Sequence, residues 1–483
     1  MYNKIMKILK DDAIISRFIF YLFIVQPILD IISFFAVEHG FTSITTVFRM
    51  FMFAFIFVWA YVISEHKKIY YFLVGVIGVF WCLHVAVNWA NGYMSVFQDT
   101  AMYIKTVQGP MLALAFITFL TQSKNACKQI GKAFFINYIT ISVSIILSYV
   151  VGMPVYTYEL NRVGLKGWFY TGNAQSCIIA ILAMLAIAYA YRQKKNLIFL
   201  LTVVIVFSNL FLFGTRVTYY SIFIVTIAFV ILLLWNKERQ LFAYLVLVTC
   251  AIVCMLAYSK APCYVQQNKV NVAFQDNDQM IHDIVDSEME TEDTESTEED
   301  TQDETEESLL EKYERVYMVF CPDLIERFGV EAVAKKLNYS LDASDMMDNR
   351  KLKTTYCSLI MGQQNLLTKL FGYEHLNMID SDGEIFDPEN DFPALFYLYG
   401  YIGLALYVMF IAFFVIVGLK NVFSNIKNIS LEKGALCVSL ILMLGCAELS
   451  GNVLRRPNVS IYLSVMLAYL FVICMNEKNN NRG

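Results

Sequence analysis

The sequence predicts an all-α polytopic membrane protein, and three observations carry that expectation. Residues of the AVILMFWYC set make up 58% of the 483 positions. Only 16% are charged, against about a quarter in soluble domains. Apolar runs long enough to cross a bilayer recur along the chain, and helices satisfy every backbone group there without closing a barrel. Period-two alternation is absent, which excludes a barrel. The same composition excludes a soluble globular protein, a disulfide scaffold and a nucleic-acid binder.

Twelve spans are predicted, at about 14–37, 45–64, 69–90, 101–121, 130–152, 173–191, 196–213, 217–235, 241–259, 391–419, 435–451 and 457–475. Each is close to the ~20 residues that cover ~30 Å of hydrocarbon at ~1.5 Å per residue. The first follows the basic stretch MYNKIMKILKDDAIISR. Its apolar run is too long for a signal-peptide core and lacks a small-residue cleavage site, so it reads as a retained helix. Lys and Arg set the orientation. With the N-terminus inside, every inner segment is basic, from Lys4, Lys7, Lys10 and Arg17 to Lys478 and Arg482. An even number of spans returns the C-terminus to the cytoplasm.

Residues 260–390 then form one large outer loop between 1–259, which holds nine spans, and 391–483, which holds three and a cytoplasmic tail. Thirteen acidic residues and no basic ones lie in the tract from Asp286 to Glu307; without them the net charge of −5 becomes +8. A tract of this kind buries no apolar surface, so about 275–308 is expected to be disordered. From 308 to 372 the pattern changes to a helical cap. SLLEKYERVYMVF, PDLIERFGVEAVAKKL and RKLKTTYCSLIMGQQNLLTKLFG read as amphipathic helices. Pro322 sits at a helix start, where a missing N–H costs little. The eleven Cys form no CxxC and no metal spacing. Cys263, Cys321 and Cys357 share the loop, where one disulfide is compatible with the sequence.

Charged side chains inside spans are costly and mark function. Here Asp30, Arg49, His84, Lys105, Arg216 and Glu448 all fall towards the outer ends, with Arg455 and Arg456 directly after. The inner halves carry almost nothing comparable. A transporter needs polar groups at all depths or near the midplane, so this asymmetry favours a polar cavity open to the outside. The segment NRVGLKGWFYTGNAQSC brings Arg162, Lys166 and Asn173 to the same level, with Trp168 and Tyr170 as stacking rings or interfacial belt residues. A set of Arg49, Lys105, Arg162, Lys166, Arg216, Arg455 and Arg456 against Asp30 and Glu448 suits phosphate or pyrophosphate on a lipid, because guanidinium forks match phosphate oxygens. The plainer alternatives are that Arg49 snorkels, that Asp30 pairs with Lys105, and that Arg455 and Arg456 anchor a helix end.

In GEIFDPENDFPALFYLYGYIG, Glu389 and Asp391 stand just before the tenth span. Either suits a general base towards a sugar hydroxyl; alternatively Asp391 caps the helix and Glu389 is solvated. Aligning Gly383 with the glycine of a calcium loop puts Asp380, Asp382 and Glu389 on ligand positions, but Met378 takes the first position and cannot ligate. With no HExxH, P-loop, GxSxG or Rossmann glycine pattern either, neither a metal nor a cofactor is expected.

Four places carry a family resemblance: QPILDIISFF in the first span, NRVGLKGWFYTGNAQS, FLFGTRVTYYS between spans seven and eight, and KLFGYEH followed by ENDFPALFYLYGYIG. With the twelve-span layout and single late loop, the chain resembles the O-antigen ligase/polymerase superfamily of bacterial membrane glycosyltransferases. The resemblance implies a metal-independent C-type glycosyltransferase fold in the cytoplasmic membrane. Its partners would be an undecaprenyl-pyrophosphate-linked glycan donor and acceptor, membrane lipid, and flippase and chain-length regulator proteins. Arg162 and Arg216 occupy positions expected to hold the pyrophosphate. The ligases carry a His-Asn pair near the end of the large loop, where this chain has Glu389-Asn390. That departure favours a polymerase, with Glu389 in the base position, over ligase transfer of a finished polysaccharide. A flippase or exporter without chemistry is the alternative of another class, and it would need polar residues through the full depth.

Overall fold

A computed structural model describes residues 2–41, 44–238, 240–292, 306–380, 382–424, 429–451 and 453–480. The chain forms two compact units: Met1–Val79 with Ala101–Gln266 and Leu406–Gly483, and Phe80–Thr100 with Gln267–Ala405. Each of the twelve predicted spans falls on a helix: Asp12–Glu38, Ile44–Ile63, Lys67–Ala90, Val96–Gln122, Lys124–Val150, Gly172–Arg192, Asn196–Phe213, Arg216–Trp235, Leu241–Leu256, Asp391–Ser424, Leu431–Leu449 and Pro457–Asn480. Ten of them are long and apolar enough to cross a membrane. The other two are Leu241–Leu256, only 16 residues long, and Leu431–Leu449, which carries Glu432, Lys433 and Glu448.

In the first unit Gly172–Arg192 is the central helix, with 83% of its membrane-length window buried, against 22% for Ile44–Ile63. Its six alanines let neighbouring backbones come close, which is how apolar helices pack where no water drives them together. Leu431–Leu449, Lys124–Val150, Asn196–Phe213 and Arg216–Trp235 all lie against it. Ser439 Oγ donates to the Ile181 carbonyl at 2.9 Å, and Gly434 makes room for Leu232.

One charged group contradicts the expected asymmetry. Lys433, assigned from sequence to an inner loop, is fully buried. Its Nζ meets Glu477 at 2.9 Å and also donates to Asn421. Nearby in sequence, Glu432 accepts from both Arg192 and Tyr469. The helix ends opposite the predicted outer level therefore carry polar contacts of their own, buried at Lys433 and open to solvent at Arg192. Sequence position made Lys433 look solvated because it follows the N-cap Ser430; interhelical packing encloses it.

In the second unit the loop residues fold as Glu306–Phe320, Pro322–Phe328, Val330–Lys336, Ala343–Met346, Asn349–Gln363 and Leu366–Phe371. The helix expected over 322–337 is split at Gly329, whose φ is 79°. The one expected over 350–372 is split before Asn365, which caps the next helix by accepting the Thr368 N–H at 2.9 Å. Pro262–Glu292 is helical and so enters the stretch expected to lack structure. Cys263, Val270, Phe274, Ile281 and Ile284 recur along it at helical spacing and are half-buried or buried. The rest of the acidic tract, 293–305, lies outside the described residues. All eleven cysteines are free, so the loop disulfide is not formed. Cys357 Sγ instead donates to the Phe386 carbonyl at 3.3 Å. Burial, then the Asp323 charge, pushes the Cys321 thiol up to about 12. Asp391–Ser424 is interrupted at Gly400, where φ is 65° and ψ −170°.

Candidate functional site

The cationic residues of the first unit sort into two groups. The first is built on a short antiparallel hairpin, Tyr156–Tyr158 with Val163–Leu165, pairing Tyr156 with Leu165 and Tyr158 with Val163. The hairpin packs on the FGTR turn between Asn196–Phe213 and Arg216–Trp235. Gly164 (φ 73°) leaves no room for a Cβ beside the Phe213 carbonyl. A Cβ at Gly214 (φ 89°) would lie 2.9 Å from Pro262 Cβ and 3.0 Å from Gly164 Cα. Both positions need glycine, because the backbone is left-handed and the neighbour is itself backbone. Thr157 Oγ1 donates to the Phe213 carbonyl and completes the joint.

Arg162 stands two residues before Gly164 and Arg216 two residues after Gly214. From ~3.8 Å per Cα step their Cα atoms are at most about 20 Å apart, a gap two extended guanidinium arms can close on one diphosphate. Both side chains are exposed, and neither makes a hydrogen bond or ion pair among the described residues. Arg162 itself takes a positive φ of 50°, which costs a non-glycine residue energy and is common at functional sites. Asn173 joins this group through Gly172, whose Cβ position lies 3.5 Å from Thr157. Lys166 is also here but committed: its buried Nζ pairs with Glu159 at 2.9 Å and reaches the Tyr170 carbonyl at 3.3 Å.

The second group surrounds Asp30. Arg49 is buried and pairs with Asp30 at 2.8 Å, with Gln26 at 3.2 Å. Asn458 also donates to Asp30, at 3.3 Å. Asp30 therefore pairs with Arg49 rather than with Lys105, and Arg49 is a buried structural ion pair rather than a snorkelling cation. Lys105 lies one turn before Gln108, which donates to Ser460 at 3.2 Å. Arg455, buried, and Arg456, exposed, lead into Pro457–Asn480. Glu448 is exposed in the last turn of Leu431–Leu449, and no described contact ties it to either group.

The second unit holds the carboxylates. Glu389 is not simply solvated: it accepts from Arg350 Nε at 2.9 Å, a partner the sequence did not suggest because it lies 39 residues away. Asp391 opens its helix and is fully buried. Asp323, Asp380 and Glu384 bring ligand oxygens within 4.8 Å of one another. Glu389, proposed from spacing as a calcium ligand, is not in this set. Asp380 Oδ1 already accepts the N–H groups of Asp382 and Glu384, so the set reads as a turn with clustered charge. Burial, then Asp380, Glu384, Asp382 and Glu326, raises the Asp323 carboxyl.

A further polar network in this unit joins His84, Asp99, Tyr93, Asn88 and Glu374. Sequence reasoning noted His84 alone; its partners are near in sequence on one side and close to three hundred residues away on the other.

The profile of a protein family described as O-antigen ligase like membrane protein matches residues 13–477. No curated protein matches the chain.

Proposed function

The chain belongs to the family of O-antigen ligase like membrane proteins, and from that premise we propose that it polymerises lipid-linked oligosaccharide repeat units into a surface polysaccharide, such as a capsule or an O-antigen-like chain. The family makes it a polysaccharide-related membrane enzyme of glycosyl transfer. The finer reading is supported best by one observation, the glycine joint that packs the hairpin carrying Arg162 on the turn carrying Arg216, with neither arginine committed to a carboxylate.

The donor is a chain on undecaprenyl pyrophosphate, and the acceptor is the non-reducing sugar of a second lipid-linked unit. Arg216 and Arg162 take up the charge that develops on the pyrophosphate as the glycosidic carbon–oxygen bond breaks, an electrostatic contribution larger in the transition state than in the ground state. The acceptor hydroxyl loses its proton to a base. We assign that role to Glu389, or to Asp391 in its place. Glu389 has to leave Arg350 to act, and the half-exposed setting of that pair allows it. Attack on the face opposite the leaving group inverts the anomeric centre. No step in this scheme draws on a metal ion. In this reading the reaction takes place on the outer face of the cytoplasmic membrane, with both termini inside, an orientation the distribution of Lys and Arg supports.

The test is the purified protein with lipid-linked repeat units. A ladder of products supports polymerisation. Transfer of one finished chain to a different acceptor indicates ligation, and intact substrate refutes glycosyl transfer. In cells, loss of a polymerase leaves single units on lipid facing outward, whereas loss of a flippase leaves them inside.

A further inference from the structure

The proposed chemistry makes no use of the buried network around His84, and its geometry is specific. His84 is fully buried. Its Nδ1 lies 2.7 Å from the Phe371 carbonyl oxygen and its Nε2 2.8 Å from Asp99 Oδ2. A carbonyl only accepts. Asp99 is held in turn: the Tyr93 hydroxyl donates to the same oxygen and the His375 N–H to the other. The imidazole thus donates from Nδ1 to the Phe371 carbonyl and bridges it to Asp99, with the Asn88 amide nitrogen 3.3 Å from Nε2. Burial, then Asp99, raises the Tyr93 hydroxyl well above its usual range, so it keeps the proton it donates. Asn88 donates to the Gly372 carbonyl at 3.2 Å and accepts the Glu374 N–H at 3.1 Å. The Glu374 carboxylate takes the N–H groups of Met94 and Ser95 at 2.8 and 3.0 Å. Four residues of the turn 371–375 are thus gripped from the 84–99 segment.

The gripped turn meets the interrupted helix. Gly372 (φ 86°) lies directly on the backbone of Leu398 and Tyr399, with no space for a Cβ. Gly400 lies in the same way on Leu370 and Phe371. The Tyr373 N–H donates to the Tyr397 carbonyl at 3.2 Å, in the last turn before the break. Two left-handed glycines interlock, so the helical segment 391–399 takes its place from the turn.

We propose that His84 is a positioning residue: bridging the Phe371 carbonyl and Asp99, it fixes the 371–375 turn and, through the interlocked glycines, the segment that starts at Asp391 and follows Glu389. This rests on the assignment of the base to one of those carboxylates. A histidine serving general stability alone would affect the whole fold; a positioning histidine affects one segment and the turnover that depends on it.

The experiment compares the full-length protein in lipid nanodiscs with His84→Ala, His84→Gln and Asp99→Asn. Hydrogen exchange is expected to quicken at least tenfold within 371–376 and 391–399 in His84→Ala, and less in His84→Gln, which has a single donor nitrogen for two acceptors. Asp99→Asn keeps the side-chain volume, guards against loss of fold, and should loosen the same segments. With lipid-linked repeat units, kcat should fall about tenfold or more while KM stays within about twofold, with partial recovery in His84→Gln. Unchanged exchange in those segments, quickening across the whole chain, or full turnover despite the loosened segments would each overturn the proposal. If the wild-type protein makes no product, the function proposed above falls, and the exchange result alone upholds or overturns the clamp.

Discussion

Replacing Gly214 with alanine tests whether the hairpin–turn joint sets the two arginines. The added Cβ would meet Pro262 Cβ at 2.9 Å and Gly164 Cα at 3.0 Å. Carbon atoms rest at about 3.5–4.0 Å, so the turn and the hairpin must part by roughly 0.7 Å. The backbone there has φ 89°, and holding alanine in a left-handed conformation costs about 1–2 kcal/mol. A control separates these effects. Gly152 has φ 76° with nothing within 4 Å of its Cβ position, so Gly152→Ala carries the same backbone cost without the steric one. Displacements of about 1 Å at a reacting centre lower rates by about 100-fold. Gly214→Ala should therefore lose ten- to a hundredfold in polymer formed per unit time. Gly152→Ala should stay within about twofold and lose a few degrees of thermal midpoint in detergent, and Gly214→Ala should lose more, because the clash adds to the shared backbone cost. Equal activity of the two variants would refute the idea that the joint places Arg162 and Arg216.

Further outcomes follow from other contacts. Arg216→Ala should lower kcat by about 100-fold or more, as loss of a donor to developing charge does, with normal protein level; wild-type chain lengths would contradict it. Arg49→Ala leaves the Asp30 carboxylate buried without its cation, and should destabilise by about 3–5 kcal/mol, whereas replacing both partners with apolar residues should cost far less; thermal unfolding of the two variants decides. Asp323 has a raised folded-state value, so the folded state holds its proton to higher pH than the unfolded state, and stability falls as pH rises through that window. Asp323→Asn should accordingly protect the cap at neutral pH, with the benefit fading on acidification, as read by hydrogen exchange of 322–336. Because every cysteine is free, reducing agent should leave the thermal midpoint unchanged.

The spans were legible because burial in lipid imposes its own composition over about 20 residues, and no local preference competes with it. Features that depend on two distant segments were not. Gly400 sits in an apolar run that reads as continuous helix, since a lone glycine in such a pattern is tolerated; only the backbone of Leu370 and Phe371 pressing on it reveals the break. Arg162, Arg216 and Asn173 were placed at one level from sequence, and the hairpin that joins them was missed because its strands have three residues each. Depth alone could not choose between Arg49 and Lys105 as partner of Asp30, because both lie near the same level and the choice depends on which helices adjoin. The helix at 262–292 was hidden by its polar composition, although its apolar positions Cys263, Val270, Phe274, Ile281 and Ile284 return to one helix face.

The His84 network also constrains how the chain is made. Its two halves are separated by 276 to 287 residues, so the ribosome releases the polar end of Lys67–Ala90 long before the residues that will cover it exist. During synthesis the imidazole and the Asp99 carboxylate have only each other, Tyr93, Asn88 and water. The insertion machinery must host that unsheathed end until the last quarter of the polypeptide arrives, and a chain truncated before residue 371 would leave it bare.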